Sequence, residues 1–354
     1  MRILVVNAGS SSLKLRMLDD SDDLVESSDL PPDGDLAALL RGWPSPDVVG
    51  HRIVHGGTQF NSAVRLDEQV IAQLRALIDL APLHQPKSLD ALDAVSGVLP
   101  EVPAVACFDT AFHQTMPSAA HTYAVPAEWR DRYGVRRYGF HGLSHAYASR
   151  RAVELAGGGS RVVTCHLGAG ASLCAVLDGR SVDTTMGFTP LEGLVMATRS
   201  GTVDPGLVLW LEEHERMTPN EVATALERQS GMLALASTAD LREVEERAER
   251  GDKDARLAMD VYLHRLVGGI AAMAASLGGL DVVVFTGGVG EHSPAVRSAA
   301  AERLGWLGMR IDAEANAAAN GDAVVTAAGA RVACLVVAAR EDLQIAHETR
   351  QLLA

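Results

Sequence analysis

The chain has 354 residues, of which 47% are hydrophobic and 21% charged. This length and composition predict a folded globular protein of two domains with sizeable cores. The 45 acidic and 31 basic residues give a net charge of −14, which disfavours nucleic acid or an anionic membrane as a partner. An anionic substrate must therefore be held by local cations and backbone amides.

The first predicted element is the apolar run from Ile3 to Val6, which predicts a buried strand. The run is too short for the hydrophobic region of a secretory signal, so we expect a cytoplasmic protein. The next run, from Leu13 to Leu18, alternates apolar and polar residues and predicts a half-buried strand. The acidic stretch from Asp19 to Asp35 has no strong period and predicts a surface loop with at most a weak strand.

The turn between these two strands, Asn7 to Ser12, has the composition of a phosphate-binding loop. Gly9 allows close approach of the backbone, the serines donate hydrogen bonds and Lys14 adds a positive charge. The spacing of a Walker A loop is absent. The alternative interpretation is an ordinary polar hairpin turn.

Charged residues stand in or after two further predicted strands. Arg52 and Val54 are two residues apart in the strand-like segment 51–55, so their side chains share a face and suit a small carboxylic acid. The alternative for Arg52 is a salt bridge on an edge strand. Asp109 follows the apolar run 102–108, where α/β proteins place active-site groups, although it could instead cap a helix.

Three other polar side chains are candidates for catalysis or metal binding. Arg199 is a second candidate cation, and its alternative is a loop ion pair with Asp204. His141 and His145 have the i, i+4 spacing of a zinc pair on a helix. We do not expect zinc there, because Gly142 weakens the helix and no third ligand suggests itself.

Two glycine-rich turns follow apolar runs at 162–165 and 282–285. One is the HLGAG segment at 166–170 and the other is the TGGVGE segment at 286–291. Such turns bind nucleotides through backbone amides, or are simply tight turns. The first glycine turn of the chain and the HLGAG turn share a strand, loop, strand pattern, which predicts an α/β protein with two similar lobes whose loops face a common cleft.

Further segments of the sequence predict helix starts, a buried helix and free thiols. Thr218 to Glu221 and Ser293-Pro294 have the capping residues and proline of helix starts. The uncharged stretch from Leu266 to Leu280 is shorter than the roughly 20 residues that span a bilayer and predicts a buried helix. The four cysteines form no CxxC pair and predict free buried thiols; they are Cys107, Cys165, Cys174 and Cys334.

Taken together, the motifs resemble those of the acetate and propionate kinase family along nearly the whole chain. The matching segments are VVNAGSSSLKL at 5–15, GHRIVHGG at 50–57, APLHQP at 81–86, FDTAFHQTMP at 108–117, RRYGFHGLSH at 136–145, HLGAGASL at 166–173, MGFTPLEGLVMATRSGTVDPG at 186–206, ADLR at 239–242 and FTGGVGEH at 285–292.

This resemblance implies an actin-like, ribonuclease H-like ATPase fold with two duplicated lobes around a nucleotide cleft. It implies a first lobe of residues 1–114 and 342–354, on the carboxylate side, and a second lobe of 115–341 for nucleotide binding and dimerisation. The implied substrates are ATP or ADP and acetate or another short carboxylate. The implied cofactor is Mg²⁺, with Mn²⁺ as a substitute, and the implied assembly is a homodimer.

The resemblance also implies roles for individual residues. The catalytic positions are Arg52, Asp109, His141 and Arg199, with Arg52 as the carboxylate anchor, and the magnesium positions are Asn7 and Glu341. The acid-pocket positions are Val54, Leu83, Phe140 and Pro190. The nucleotide positions are Lys14, His166, Leu167, Gly168, Ala169, Gly170, Asp240, Leu241, Arg242, Gly287, Gly288, Val289, Gly290 and Glu291.

The chain departs from the family pattern at several positions. Ala169 and His292 each replace an asparagine near the nucleotide, and Gln85 replaces one in the APLHQP segment. Ala197 and Arg340 also differ from the common pattern, and the region between 18 and 51 is shorter than expected. We expect these changes to affect nucleotide preference and rate more than reaction type.

A carboxylate is already ionised at neutral pH, so the expected reaction needs electrostatic stabilisation and no general base. Asp109 would then hold the metal, its water or an arginine. The alternatives are a propionate or butyrate kinase of the same family, a sugar kinase of the same superfamily, and an actin-like ATP switch. The pairing of Arg52 with Val54 argues against the switch, which has no second substrate.

Overall fold

The computed structural model describes residues 1–9, 12–31, 34–81 and 84–354. The chain forms two compact units. Unit 1 comprises Met1–Gln114, Phe140–Tyr147 and Arg340–Ala354, and unit 2 comprises Thr115–Gly139 and Ala148–Ala339. The predicted first lobe falls within unit 1, which also includes residues 140–147 and 340–341.

Twelve strands and fifteen α-helices lie in the described residues. The strands are β1 (Ile3–Ala8), β2 (Leu13–Leu18), β3 (Leu24–Leu30), β4 (Val48–Ile53), β5 (Val64–Arg65), β6 (Ala104–Phe108), β7 (Arg161–Leu167), β8 (Ala171–Leu177), β9 (Arg180–Thr184), β10 (Val282–Thr286), β11 (Ala323–Val324) and β12 (Ala333–Val336). The helices are α1 (Leu36–Arg41), α2 (Glu68–Arg75), α3 (Gln85–Val98), α4 (Ser118–His121), α5 (Ala127–Tyr133), α6 (Gly142–Ala156), α7 (Pro205–His214), α8 (Pro219–Arg228), α9 (Gly231–Ala236), α10 (Leu241–Glu249), α11 (Lys253–Ser276), α12 (Gly287–His292), α13 (Pro294–Arg303), α14 (Ala313–Ala318) and α15 (Glu341–Leu353).

The sheet of unit 1 has the strand order β3-β2-β1-β4-β6-β5. β1, β2 and β3 form an antiparallel meander, whereas β1, β4 and β6 run parallel and β5 adds an antiparallel edge. The two faces of β1 enter different cores: Ile3 and Val5 pack with Ile345 of α15, and Leu4 and Val6 pack with residues of α3. A parallel strand covered on both faces needs apolar side chains at every position, which explains the continuous apolar run.

The sheet of unit 2 repeats this topology. Its order, read from the meander, is β9-β8-β7-β10-β12-β11. β7, β8 and β9 are antiparallel, β7, β10 and β12 are parallel, and β11 pairs antiparallel with β12. The prediction of an α/β protein with two duplicated lobes is therefore confirmed.

Helix α11 is the core helix of unit 2. It packs against the three antiparallel strands β7, β8 and β9 and against helices α9, α10 and α13. By length and composition alone α11 could also cross a membrane. Its buried side chains, which include Tyr262, Leu266 and Ile270, face these neighbours. The buried helix predicted within 266–280 is thus confirmed up to Ser276.

Local predictions are mostly confirmed. β2 covers Leu13–Leu18 as predicted, and Thr218 forms a complete capping box with Glu221 at the start of α8. Ser293 caps α13, and all four cysteines are free and buried. The possible strand within 19–35 is present as β3, a seven-residue strand that pairs along β2. Its side chains are mostly exposed or half-buried, and a strand without a buried face gives no clear apolar alternation.

Candidate active site

Neighbouring parallel strands of unit 1 place a cation beside a carboxylate. Arg52 is the penultimate residue of β4, and Asp109 directly follows β6. The guanidinium donates from Nε and Nη2 to both carboxylate oxygens over 2.6 to 3.2 Å. β4 lies inside the sheet, so the interpretation of Arg52 as an edge-strand arginine is wrong.

Asn7 at the end of β1 and Glu341 at the start of α15 extend this arrangement. Arg52 Nη1 donates to Asn7 Oδ1 over 3.0 Å, and Asn7 Nδ2 donates to Glu341 Oε2 over 2.7 Å. Arg52 also lies 3.9 Å from the Glu341 carboxylate. We call these four residues, Asn7, Arg52, Asp109 and Glu341, the strand-end cluster.

The strand-end cluster contains two carboxylates and one guanidinium, and therefore has an excess negative charge. Burial alone would lower the pKa of Arg52, but the fields of Asp109 and Glu341 raise it overall. Burial raises the pKa of the Asp109 carboxyl, and Arg52 opposes that shift. Of the five N–H groups of a guanidinium, three donate to Asp109 and Asn7. The remaining two can face a bound anion.

The donor set of the strand-end cluster fits a magnesium ion. Mg²⁺ prefers oxygen ligands and is usually held by one or two carboxylates together with waters and substrate phosphates. Glu341 and Asp109 supply carboxylates and Asn7 an amide oxygen. Within the described ranges no three His, Cys, Asp or Glu side chains form a group that could hold a metal ion.

His141 is tied to the strand-end cluster through the backbone. Gly142 N donates to the carbonyl oxygen of Asp109 over 2.8 Å, and a Cβ at Gly142 would lie 2.2 Å from that oxygen. His141 itself has φ of 57°, a left-handed conformation that costs a non-glycine residue about 1–3 kcal/mol. Such strain is typical of residues that are held in place for function.

The predicted acid-pocket residues are divided between the two units. Val54 and Phe140 are buried in unit 1, and the Phe140 ring meets His55 edge-on at 5.5 Å between centroids. Pro190 belongs to unit 2. Leu83 lies outside the described residues.

Arg199 lies in a loop of unit 2 that is fixed by backbone contacts. Its Nη1 donates to the carbonyl oxygen of Pro190 over 2.8 Å, which brings together two predicted site residues. Burial lowers the pKa of the guanidinium, and Glu227 opposes this effect. Asp204 accepts a hydrogen bond from Gly206 N at the start of α7, so its carboxylate serves as a helix cap.

A cavity of about 420 Å³ lies in unit 2. Its walls include seven of the predicted nucleotide positions: Gly168, Ala169, Asp240, Leu241, Arg242, Gly288 and Val289. These residues come from the turn between β7 and β8, the start of α10 and the start of α12. The volume is in the range of small-molecule sites, and backbone amides at glycine turns suit phosphate oxygens.

The other predicted nucleotide positions have different surroundings. His166 and Leu167 end β7, and Gly170 accepts a hydrogen bond from Gly168 N in the same turn. Gly287 has φ of 78°, and a Cβ added at this position would lie 2.8 Å from the Leu167 carbonyl oxygen. Only glycine therefore fits here. Gly290 is buried in α12, and Glu291 Oε1 accepts a hydrogen bond from Ala339 N. Lys14 is exposed on β2 of unit 1.

Several cavity residues were missed by sequence reasoning. They are Met196, Met232, Ala239, Glu245, Tyr262 and Ser293. Three of them, Met232, Glu245 and Tyr262, come from α9, α10 and α11, whose helical pattern predicts packing and gives no sign of a ligand. His292 and Ala197, noted above only as departures from the family pattern, also line the cavity.

Comparisons with known proteins agree on one family. A family model described as the acetokinase family matches residues 43–347. An acetate kinase from Deinococcus deserti is 44% identical in an alignment that covers 100% of this chain and 98% of that protein. An acetate kinase from Thermosipho africanus is 40% identical with the same coverage.

Solved structures give the same result. The crystal structure of Porphyromonas gingivalis acetate kinase superposes with a TM-score of 0.91 at 35% identity and covers 100% of both chains. A propionate kinase from Francisella tularensis gives a TM-score of 0.90 at 34% identity and covers 98% of both chains.

Proposed function

The chain belongs to the acetokinase family, and on that premise we propose that it catalyses the reversible, Mg²⁺-dependent transfer of the ATP γ-phosphoryl group to acetate. The products are acetyl phosphate and ADP. It is a phosphotransferase with a carboxyl group as acceptor. The observation that supports this proposal most strongly is the strand-end cluster, where Arg52 faces two carboxylates and keeps two N–H groups for a bound anion.

In the proposed reaction an acetate oxygen forms a bond to the γ-phosphorus of ATP. The bond between the γ-phosphorus and the bridging oxygen breaks, and that oxygen leaves with ADP. A carboxylate with a pKa near that of glutamate, about 4.3, needs no base at neutral pH. The protein must instead bring two anions together and offset the charge on the equatorial oxygens. We assign Arg52 to the acetate carboxylate, and Arg199 and His141 to the transferred phosphoryl group.

Asp109 acts as a positioning residue in this proposal. Its bidentate contact fixes the plane of the Arg52 guanidinium. Asn7 and Glu341, together with Asp109, would hold Mg²⁺ or Mn²⁺. When bound, the ion would supply positive charge that offsets the negative charge of the phosphate groups.

We assign nucleotide binding to the cavity of unit 2. The apolar walls of the cavity, which include Met196, Met232 and Leu241, suit a base, while Gly168 and Gly288 present backbone to phosphates. Lys14 is assigned to the phosphates as in the family pattern. The remaining glycines of both turns allow the close backbone approach that the cavity needs.

Val54, Leu83, Phe140 and Pro190 are assigned to the acyl group of the acid. Their apolar character suits a methyl group, and acetate is the substrate named for the relatives at about 40% identity. The similar propionate kinase structure makes propionate the second candidate. One added methylene contributes only about 0.8 kcal/mol where it fits, so the two acids must be compared by kcat/KM.

A homodimer is also proposed, through helix α7. The helix is apolar, none of its residues is buried within the chain, and Leu207, Leu209 and Trp210 are 43%, 57% and 47% exposed. Such a patch is typical of a protein interface. A cytoplasmic location is proposed because ATP is the phosphoryl donor and four free thiols suit a reducing compartment.

The test of the function is formation of a hydroxylamine-trappable acyl phosphate from ATP, Mg²⁺ and a short acid. We expect product with acetate and a higher kcat/KM for acetate than for propionate or butyrate. The Arg52→Ala variant is the matched negative control. Absence of product with all three acids would overturn the proposal, and a preference for propionate would change the substrate.

A further inference from the structure

The cavity of unit 2 contains a half-buried acid that the proposed reaction does not use. Glu245 lies on α10, one turn beyond Leu241, and its side chain lines the cavity together with Tyr262 and Ser293. Burial raises the pKa of its carboxyl group. A half-buried carboxylate beside apolar side chains needs a hydrogen-bond donor, although Asp240, Arg242 and His292 also line this cavity.

The hydrogen-bond direction at Glu245 is fixed by helix capping. Ser293 caps α13, and its Oγ accepts the N–H of Val296 over 3.1 Å. The Ser293 hydroxyl proton is therefore available to Glu245, and Ser293 Oγ donates to Glu245 Oε1. The other oxygen, Oε2, accepts no hydrogen bond from the described residues. The cavity thus contains a charged acceptor that a ligand can use.

The surrounding walls define what kind of group could meet this acceptor. Met196, Met232, Leu241 and Val289 form apolar surface, and Tyr262 adds an aromatic ring. A flat heteroaromatic ring fits between such side chains. Of the nucleobase edges, an exocyclic amino group donates hydrogen bonds, whereas a carbonyl oxygen in the same place would meet the carboxylate acceptor to acceptor.

We propose that Glu245 makes this cavity selective for a purine with an amino group at C6, that is, adenine over a 6-oxopurine. The inference rests on the proposed nucleotide site and names the base that the site selects. A hydrogen bond to a charged group separates the matched base from a mismatched one by about 10- to 100-fold in affinity.

Glu245→Gln is the sharpest test because it keeps the shape of the side chain. The Ser293 hydroxyl will hold the amide oxygen, so the amide NH₂ faces the ligand and now favours a carbonyl group. The probes are ATP, inosine triphosphate and purine riboside triphosphate, which has no group at C6. Their dissociation constants are measured by calorimetry without acetate, on the full chain.

We expect the wild type to bind ATP at least about tenfold more tightly than the other two nucleotides. In Glu245→Gln, the ratio of inosine triphosphate to ATP dissociation constants should fall at least about tenfold, while binding of the purine riboside changes less than about threefold. The control is Glu246→Gln, at the next position, whose exposed side chain pairs with Arg250. This control should leave all three constants unchanged.

The inference is overturned if the ratio of inosine triphosphate to ATP dissociation constants changes less than about threefold in Glu245→Gln. It is also overturned if the wild type binds ATP and inosine triphosphate equally well. A wild type that binds no nucleotide overturns it as well. Acyl phosphate formation is measured separately. Selective ATP binding without acyl phosphate would contradict the proposed reaction and leave the base assignment standing.

Discussion

The two sheets share one topology but present different chemistry at equivalent places. After the third parallel strand of unit 1, Asp109 N donates to the carbonyl oxygen of Ile53 in the neighbouring strand. After the corresponding strand of unit 2, Val337 N donates to Phe285 in the same way. The backbone is repeated, yet one position holds a buried carboxylate and the other a buried valine.

The same contrast holds along the other strand ends. In unit 1 the residues Asn7 and Arg52 form hydrogen bonds through their side chains. In unit 2 the equivalent strands lead into the glycine turns that line the cavity through Gly168 and Gly288. A duplicated framework thus supplies side-chain charge in one unit and exposed backbone in the other. We propose that phosphoryl transfer depends on the first and nucleotide affinity on the second.

The largest expected effect concerns Arg199. This candidate acts through a charged side chain although it lies in unit 2, where the other proposed contacts come from exposed backbone. If it stabilises the transferred phosphoryl group, Arg199→Ala should lower kcat by about 10³- to 10⁵-fold. The dissociation constant for ATP should change little, since the cavity walls are intact. Steady-state kinetics and calorimetry check the two values. A loss of less than about tenfold in kcat would show that Arg199 has another role.

Removal of the cation from the strand-end cluster should destabilise unit 1. Arg52→Met keeps the aliphatic stem but leaves Asp109 and Glu341 without their partner. We expect a loss of about 3–5 kcal/mol in the free energy of unfolding, measured by urea denaturation. The matched control is the double variant Arg52→Met with Asp109→Asn, which should recover part of this loss. If the single and the double variant have the same free energy of unfolding, Arg52 and Asp109 are not energetically coupled.

In the strand-end cluster the strands can be predicted from the sequence, but the contacts between their ends cannot. The strands themselves were predictable because a buried parallel strand is apolar at each position, as in Ile3 to Val6. The bidentate contact between Arg52 and Asp109 joins residues 57 positions apart, and no local pattern encodes that distance. The residues alone make Arg52 and Asp109 candidates with structural alternatives, whereas the magnesium roles of Asn7 and Glu341 are expected only from the family resemblance.

Glu245 and Tyr262 are cavity residues that the sequence did not identify as site residues at all. Glu245 lies on the amphipathic helix α10 and Tyr262 on the core helix α11, where a charged residue is expected for solvation and an aromatic one for packing. Only the tertiary arrangement places them in the wall of the cavity. β3 is expected only as a possible weak strand, because none of its side chains is buried and its sequence shows no apolar alternation.

Unit 1 also contains buried histidines, and the titration of two of them, His51 and His55, should be visible in stability. Burial lowers the pKa of His51 and of His55 to about 4. Because these values lie below the ordinary 6.5, the unfolded chain takes up protons first as the pH falls. The stability contributed by neutral imidazole is complete above about pH 6.5 and is lost as the pH falls through the window from 6.5 to 4.

Each group can account for up to about 3 kcal/mol over that window. Neither ring nitrogen of His51 has a hydrogen-bond partner in the described residues, so His51→Phe removes the titration without removing a bond. Urea midpoints measured from pH 7.5 to 4 should fall less steeply for His51→Phe than for the wild type. Parallel curves would contradict the assignment.

A smaller effect on stability is expected at Gly142, whose backbone N–H donates to the carbonyl oxygen of Asp109. Gly142→Ala places a Cβ against the Asp109 carbonyl oxygen and should cost about 1–3 kcal/mol of unfolding free energy. It should also lower kcat, because His141 must move. Gly268 in α11 has open space around an added Cβ, so Gly268→Ala should stabilise by up to about 1 kcal/mol and leave kcat unchanged. Similar thermal shifts for both variants would contradict this account.

The division of roles between the two units is tested most directly by one paired measurement of ATP affinity and acetyl phosphate formation in two variants. Asp109→Asn alters only the strand-end cluster, and Gly288→Val projects a side chain into the open cavity, where an added Cβ meets nothing. The prediction is that Asp109→Asn keeps the ATP dissociation constant within about threefold and loses at least about 100-fold in kcat, whereas Gly288→Val weakens ATP binding at least about tenfold. Equal weakening of ATP binding in both variants would contradict it.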